Sequence, residues 1–153
     1  MSAGEGREAP GRTLAVDWGR RRIGLAVSDE LGLTVRGLPT VEHIHREADL
    51  AAIEDVARRL EARRLLVGRP VHLDGRAGAS SREAARFGKA LAKRCGLELI
   101  LWDERLTSVE AGERLREARP GTRVEKPAVD RMAAQILLED YLRAQDAACD
   151  ASS

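Results

Sequence analysis

The chain has 153 residues, 43% of them hydrophobic, with 26 Lys and Arg against 25 Asp and Glu for a formal net charge of +1. That apolar share excludes a disordered chain, and the length fits one domain with a buried core. A near-neutral balance does not by itself announce a nucleic-acid binder, and 3% aromatics argue against a stacking platform for bases.

Met1 to Gly11 reads as a flexible leader, rich in Gly and charge. Arg12 to Asp17 and Ile23 to Ser28 are short apolar runs separated by Trp18-Gly19-Arg20-Arg21-Arg22, a gap that favours an antiparallel hairpin. Leu33 to Val41 supplies a third strand, with Gly37 and Pro39 marking irregularity near its end. From Arg46 the pattern turns helical, with Leu50, Ile53, Val56, Ala57 and Leu60 at spacings of three and four. Leu65-Leu66-Val67 is a compact buried strand ended by Gly68, and Arg69 to Ala79 is a loop carrying Pro70 and Asp74-Gly75. Ser80 with Glu83 forms a capping box for a helix that stops at Gly96. Leu97 to Leu101 is a fifth strand. Thr107 with Glu110 opens a helix through about Ala118, broken by Arg119-Pro120-Gly121-Thr122. Pro127 fits the first position of a last helix reaching about Ala144, and Gln145 to Ser153 is a polar tail. Three antiparallel strands followed by two right-handed crossovers predict one α/β domain over residues 12–144, a mixed five-stranded sheet with helices on its faces.

Carboxylates mark the ends of these elements. Asp17 closes the run Leu14-Ala15-Val16, Glu104 follows Leu99-Ile100-Leu101-Trp102-Asp103, and Asp130 lies in the first turn of the last helix. Acids at the carboxyl ends of strands point into the crevice where open α/β sheets hold ligands. Converging acids repel, and a divalent cation is the usual remedy. Each has a bland counterpart: Asp17-Trp18-Gly19 as a turn, and Asp130 or one acid of Asp103-Glu104-Arg105-Leu106-Thr107-Ser108 as a helix-dipole partner. Jointly they are harder to dismiss.

Other candidates read as ordinary. His43 and His45 share one side of an extended chain, but with no Cys or third His nearby a solvated pair is favoured over a metal site. His72 reads as an exposed loop histidine, and Arg58-Arg59 with Arg63-Arg64 as a solvated face. Arg20-Arg21-Arg22 is a local basic cluster that can hold phosphates. Cys95 and Cys149 form neither metal-ligand spacing nor a disulfide framework, which suits a reducing cytosol. No stretch approaches a membrane span and the polar start lacks a signal-peptide core, so a cytoplasmic protein with no membrane partner is expected.

Four segments carry a resemblance. Asp17-Trp18-Gly19-Arg20-Arg21-Arg22-Ile23-Gly24-Leu25-Ala26-Val27-Ser28-Asp29 resembles the opening motif of the YqgF/RuvX family, and Gly68-Arg69-Pro70 through Asp74-Gly75 its glycine loop. Asp103-Glu104-Arg105-Leu106-Thr107-Ser108 is similar to its most specific signature, which usually ends in two threonines, and Val129-Asp130-Arg131-Met132-Ala133-Ala134 to its closing helix. Ser108 and Trp18 depart mildly. The motifs stand in the family's order and cover Thr13 to Leu142.

The resemblance implies an RNase H-like fold with strand order 3-2-1-4-5 and strand two antiparallel. It implies a nuclease dependent on Mg²⁺, with Mn²⁺ as the alternative ion, described for the family as acting at the 5′ end of pre-16S rRNA. Asp17, Glu104 and Asp130 are carried over as catalytic acids and metal ligands. Arg20, Arg21, Arg22, Arg69, Arg105 and Thr107 are expected as substrate contacts that position phosphates without reading sequence. Adjacent strand positions face opposite ways, so Asp103 joins Glu104 at the metal only if the strand has already ended. Structured RNA is the implied partner, with branched DNA the alternative from older descriptions of the family as a Holliday junction resolvase, and the chain is expected as a monomer or homodimer. A non-catalytic nucleic-acid-binding module is a rival of another class. An actin-like ATPase shares the fold but clamps nucleotide between two such domains, where this chain provides one.

Overall fold

The structure, a computed structural model, describes residues 10–19, 21–69, 79–103 and 126–152, without the side chains of 79–80, 126–131 and 147–152. The elements are β1 Arg12–Asp17, β2 Arg22–Ser28, β3 Val35–Glu42, α1 Arg46–Arg59, β4 Ala62–Arg69, α2 Ala79–Cys95, β5 Glu98–Asp103 and a long α3 Lys126–Ser152. The predicted helix from Thr107 to Ala118 lies outside the described residues.

One sheet has the order β3-β2-β1-β4-β5. β2 is antiparallel to β1 and to β3, whereas β1, β4 and β5 are parallel. The mixed sheet of the sequence reading is therefore present in the expected order. The irregularity expected near Pro39 is a shift in the β2–β3 pairing between Ile23↔Val41 and Leu25↔Leu38. An edge strand tolerates it because proline there leaves no ladder donor missing.

Two cores follow from strand alternation. On one face Leu14, Val16, Ile23, Leu25, Leu65 and Val67 pack with Leu50 and Ile53 of α1 and Ala84, Phe87 and Leu91 of α2. On the other, Ala15, Ala26 and Leu66 meet Ala134, Leu137, Leu138 and Tyr141 of α3. The buried stripe of α3 follows helical spacing, and Ala134 facing the small Ala15 and Ala26 lets the helix lie close to the sheet.

Local chemistry sets the ends. The His45 side chain caps α1 by accepting from Ala48 N at 3.2 Å, Glu47 and Asp49 sit in its first turn, and Arg58 and Arg59 in its last, as the helix dipole favours. α2 stops where expected, since Gly96 takes φ +70°, a left-handed conformation that favours glycine. Three boundaries differ from the sequence reading. β4 continues through Gly68 to Arg69 because β5 pairs with both residues. α2 begins at Ala79, one residue ahead of the expected cap. α3 continues to Ser152 instead of ending near Ala144, since the last stretch is rich in alanine and free of Gly and Pro.

Candidate functional site

β1 ends at Asp17, and register decides which way that carboxylate faces. Ala15 and Leu66 belong to the α3 side, so by alternation Asp17 faces α3 as well. In its row stand Gly24 of β2, Gly68 of β4 one residue past the pair Val16↔Val67, and Trp102 of β5 opposite Gly68. Asp17 is thus flanked on both sides by strand positions without side chains, and it is only partly buried. A ligand can approach it over bare backbone. Trp102 closes the row, packed edge-on against Tyr141 with ring centroids 5.5 Å apart. Its indole Nε1 is buried without an acceptor among the described residues, a donor left at the margin of the site.

Asp103 behaves differently. β5 runs through it, and it pairs in register with Arg69. Both continue the rows of Leu65, Val67, Leu99 and Leu101, which belong to the α1–α2 side. The strand has not ended, so Asp103 and Asp17 face opposite sides of the sheet. Arg69 is tied on that same side, its Nε donating to Ser81 Oγ at 2.9 Å.

α3 carries the backbone of Asp130 toward the end of the sheet where Asp17 stands. Leu142 lies 3.6 Å from the position a Cβ on Gly32 would take, and Arg143 and Asp146 border the same β2–β3 turn. That turn is at the sheet edge away from Asp17. Asp130 precedes Leu142 by twelve residues, about 18 Å of helix at 1.5 Å per residue. The level of Asp17 lies about 13 Å above Thr13 at 3.3 Å per strand residue. The helix therefore runs from the Asp17 edge toward the turn. Glu104, Arg105, Thr107 and Arg20 lie outside the described residues. Among the described residues no three His, Cys, Asp or Glu side chains gather as a metal cluster.

Arg21 and Arg22 of the arginine turn are placed differently. Arg22 opens β2 on the row of Gly24 and Ala26, hence on Asp17's face just past the end of β1. Arg21 is exposed and its carbonyl accepts from His43 N at 2.9 Å, so its backbone is part of the turn's structure. Gly19 has a structural reason as well: a Cβ there would lie 2.5 Å from the Arg22 carbonyl oxygen.

His43 and His45 form no metal pair. His45 caps α1, and His43 Nδ1 is bound to Asp49 Oδ2, whose other oxygen accepts from Ile44 N at 3.0 Å. Asp49 is 1% exposed, and the sequence reading missed it because helical periodicity cannot tell a buried acid from a first-turn dipole partner. The helix arginines are engaged: Arg58 with Glu54 at 2.6 Å and Arg59 with Asp55 at 2.8 Å, while Arg64 lies 3.7 Å from Glu98.

A sequence model described as "RuvX: Holliday junction resolvase" matches residues 11–144. The chain belongs to the RuvX family. It is 44% identical over 132 residues to a Koribacter versatilis protein named "Putative pre-16S rRNA nuclease", covering 86% of each chain. A relative of the same name from Anaeromyxobacter dehalogenans is 45% identical over 131 residues, covering 86% of this chain and 96% of its own. In fold, the chain resembles Thermus thermophilus RuvC solved in complex with a Holliday junction substrate, at a TM-score of 0.59 and 15% identity over 88% of this chain and 96% of that one. The RNase H-like architecture expected of the family is the one observed. No helix among the described residues is long and apolar enough to cross a membrane.

Proposed function

We propose that this chain is a nuclease that hydrolyses phosphodiester bonds of pre-16S rRNA at its 5′ end, with Asp17, Glu104 and Asp130 holding Mg²⁺ in the cytoplasm. The observation that carries this reading is Asp17: a partly exposed carboxylate at the carboxyl end of β1 between Gly24 and Gly68, in a chain of this family. An all-oxygen donor set of carboxylates is hard in character and suits Mg²⁺ or Mn²⁺ over zinc or copper. When bound, the ion lowers the pKa of the attacking water and stabilises the leaving oxygen.

The chain's own residues supply position and charge. Asp17 is fixed by the β1 ladder, so its carboxylate is held without relying on a loop. Gly24 and Gly68 leave space for a sugar-phosphate backbone to reach it. Arg22 on the same face pairs with a phosphate beside the one cleaved, and Arg20, Arg21, Arg105 and Thr107 extend that grip along the strand. Such interactions position the substrate without reading its sequence. Arg69 stands on the other side of the sheet with its Nε given to Ser81, so its remaining guanidinium nitrogens serve only a part of the strand that has passed over the end of the sheet.

The test is cleavage of a pre-16S rRNA fragment in Mg²⁺, with Asp17→Asn and EDTA as controls. Cleavage at the 5′ boundary that is lost in both controls supports the reading. The description of the matching family favours a second substrate, the four-way DNA junction. Metal-dependent resolution of such a junction with no cleavage of the RNA would move the assignment to that substrate.

A further inference from the structure

On the opposite side of the sheet from Asp17, the end of β1 opens into a second hollow of about 280 Å³. Trp18 forms one wall, next in sequence to Asp17, and packs by one side against the α1–α2 core. Phe87 of α2 and the His43–Asp49 pair line it further, while Arg46 from the start of α1 and Arg86 from α2 stand at its rim. Both rim arginines are exposed, and among the described residues neither has an ion-pair or hydrogen-bond partner through its side chain. This contrasts with Arg58, Arg59 and Arg94, which carry carboxylate partners.

The chemistry is that of a nucleotide site. Two unneutralised guanidiniums beside an indole suit a phosphate flanked by a base. Phe87 is apolar floor, and Glu83, also lining the hollow, can accept from a base amine. The oxygens of the buried Asp49 are already engaged by His43 Nδ1 and Ile44 N, so they are committed within the fold. The volume lies near the lower end of ligand pockets, about 300 Å³, suited to one nucleotide and too small for a folded partner's segment. A single indole serves one base, in keeping with a chain too poor in aromatics for a platform.

Position supplies the occupant. Consecutive Cα atoms are about 3.8 Å apart, so Trp18 and Asp17 stand at one edge of the sheet while facing its two sides. A strand whose scissile phosphate lies at Asp17 and passes over that edge descends into the hollow. We propose that Trp18, Arg46 and Arg86 form a subsite for a single-stranded nucleotide flanking the cleavage point, the base against Trp18 and its phosphate between the two arginines. The proposal rests on the nuclease reading for its geometry, and its readout is independent of cleavage.

The chain holds two tryptophans, so a Trp102→Phe protein leaves Trp18 as its one indole reporter. Titration of this protein with a single-stranded tetraribonucleotide in EDTA is expected to quench Trp18 saturably. Adding Arg46→Ala with Arg86→Ala is expected to weaken binding at least tenfold, and to flatten its salt dependence by about 0.7 in slope for each phosphate no longer held. Trp18→Ala, followed by anisotropy of a labelled oligonucleotide, is expected to weaken binding about 5- to 150-fold, the range for one stacked base. Trp18→Phe is expected to restore much of that loss. Unchanged Trp18 fluorescence on saturation, or unchanged affinity in the double arginine variant with its thermal melt intact, overturns the subsite. A protein that shows the quench yet cleaves no RNA sinks the nuclease reading alone, and one that cleaves RNA with Trp18 silent sinks the subsite alone.

Discussion

Asp103 and Arg69 stand opposite one another across β5 and β4, on the side of the sheet that Asp17 does not face. The neighbouring acids of the Asp103-Glu104 motif are therefore separable. Asp103→Asn is expected to keep turnover within a few-fold of the unmodified protein, whereas Asp17→Asn and Glu104→Gln each lower it on the order of 10³-fold. That larger figure is several kcal/mol of charge stabilisation at about 1.36 kcal/mol per decade. Single-turnover cleavage of the three variants in Mg²⁺ is the check. A loss at Asp103 equal to that at Asp17 would mean that the pairing seen in β5 is not the one used in catalysis.

The arginine turn offers a second discrimination. Arg22 shares Asp17's face, whereas Arg21 precedes β2 with its carbonyl tied to His43 N, so Arg22→Ala should flatten the salt dependence of RNA binding by about 0.7 in slope. Arg21→Ala should change it less. Binding measured across a salt series for both variants tests this, and equal slopes in all three proteins would remove the turn from the interface.

His43 holds a buried carboxylate, so its role is structural. His43→Ala leaves Asp49 with Ile44 N–H as its described partner and should destabilise the fold by about 1.5–3 kcal/mol, the range for a hydrogen bond to a charged group. Urea unfolding measures it. Adding Asp49→Asn to His43→Ala should recover part of the loss, because the group left buried is then uncharged. A double variant no more stable than His43→Ala would argue against the pair.

The packing of α1 on α2 carries a pH signature. Arg94 bridges Glu47 of α1 and Glu54, its Nε donating to Glu54 at 2.7 Å. The Arg94 hydrogen bond is the first cause holding the Glu54 carboxyl below its ordinary value of 4.5, with Arg58 adding to it. Because the folded value is the lower one, the contribution is present above the unfolded value and is lost as pH falls through the folded one. The gap in urea midpoint between the unmodified protein and Glu54→Gln should be widest near about pH 7 and shrink toward about pH 3. It should also shrink in about 1 M salt, since the pair is on the surface. A gap independent of pH would point to packing instead of charge.

The sequence alone carried the element order. Arg12 to Asp17 as a strand, the hairpin through Trp18-Gly19-Arg20-Arg21-Arg22, the edge-strand irregularity at Pro39 and the stop at Gly96 are local signals, set by backbone sterics and short-range periodicity. The resemblance added the strand order and three candidate acids, of which the structure describes the Asp17 side chain and the backbone of Asp130. Only the tertiary structure decided direction. In Leu14-Ala15-Val16-Asp17 both strand faces are apolar, because helices cover the sheet on both sides. No alternation in the sequence then tells which helix layer Asp17 looks toward, or that Asp103 looks the other way. Those choices are fixed by register with β4 and by which face α3 covers, and both rest on packing between residues far apart in the chain.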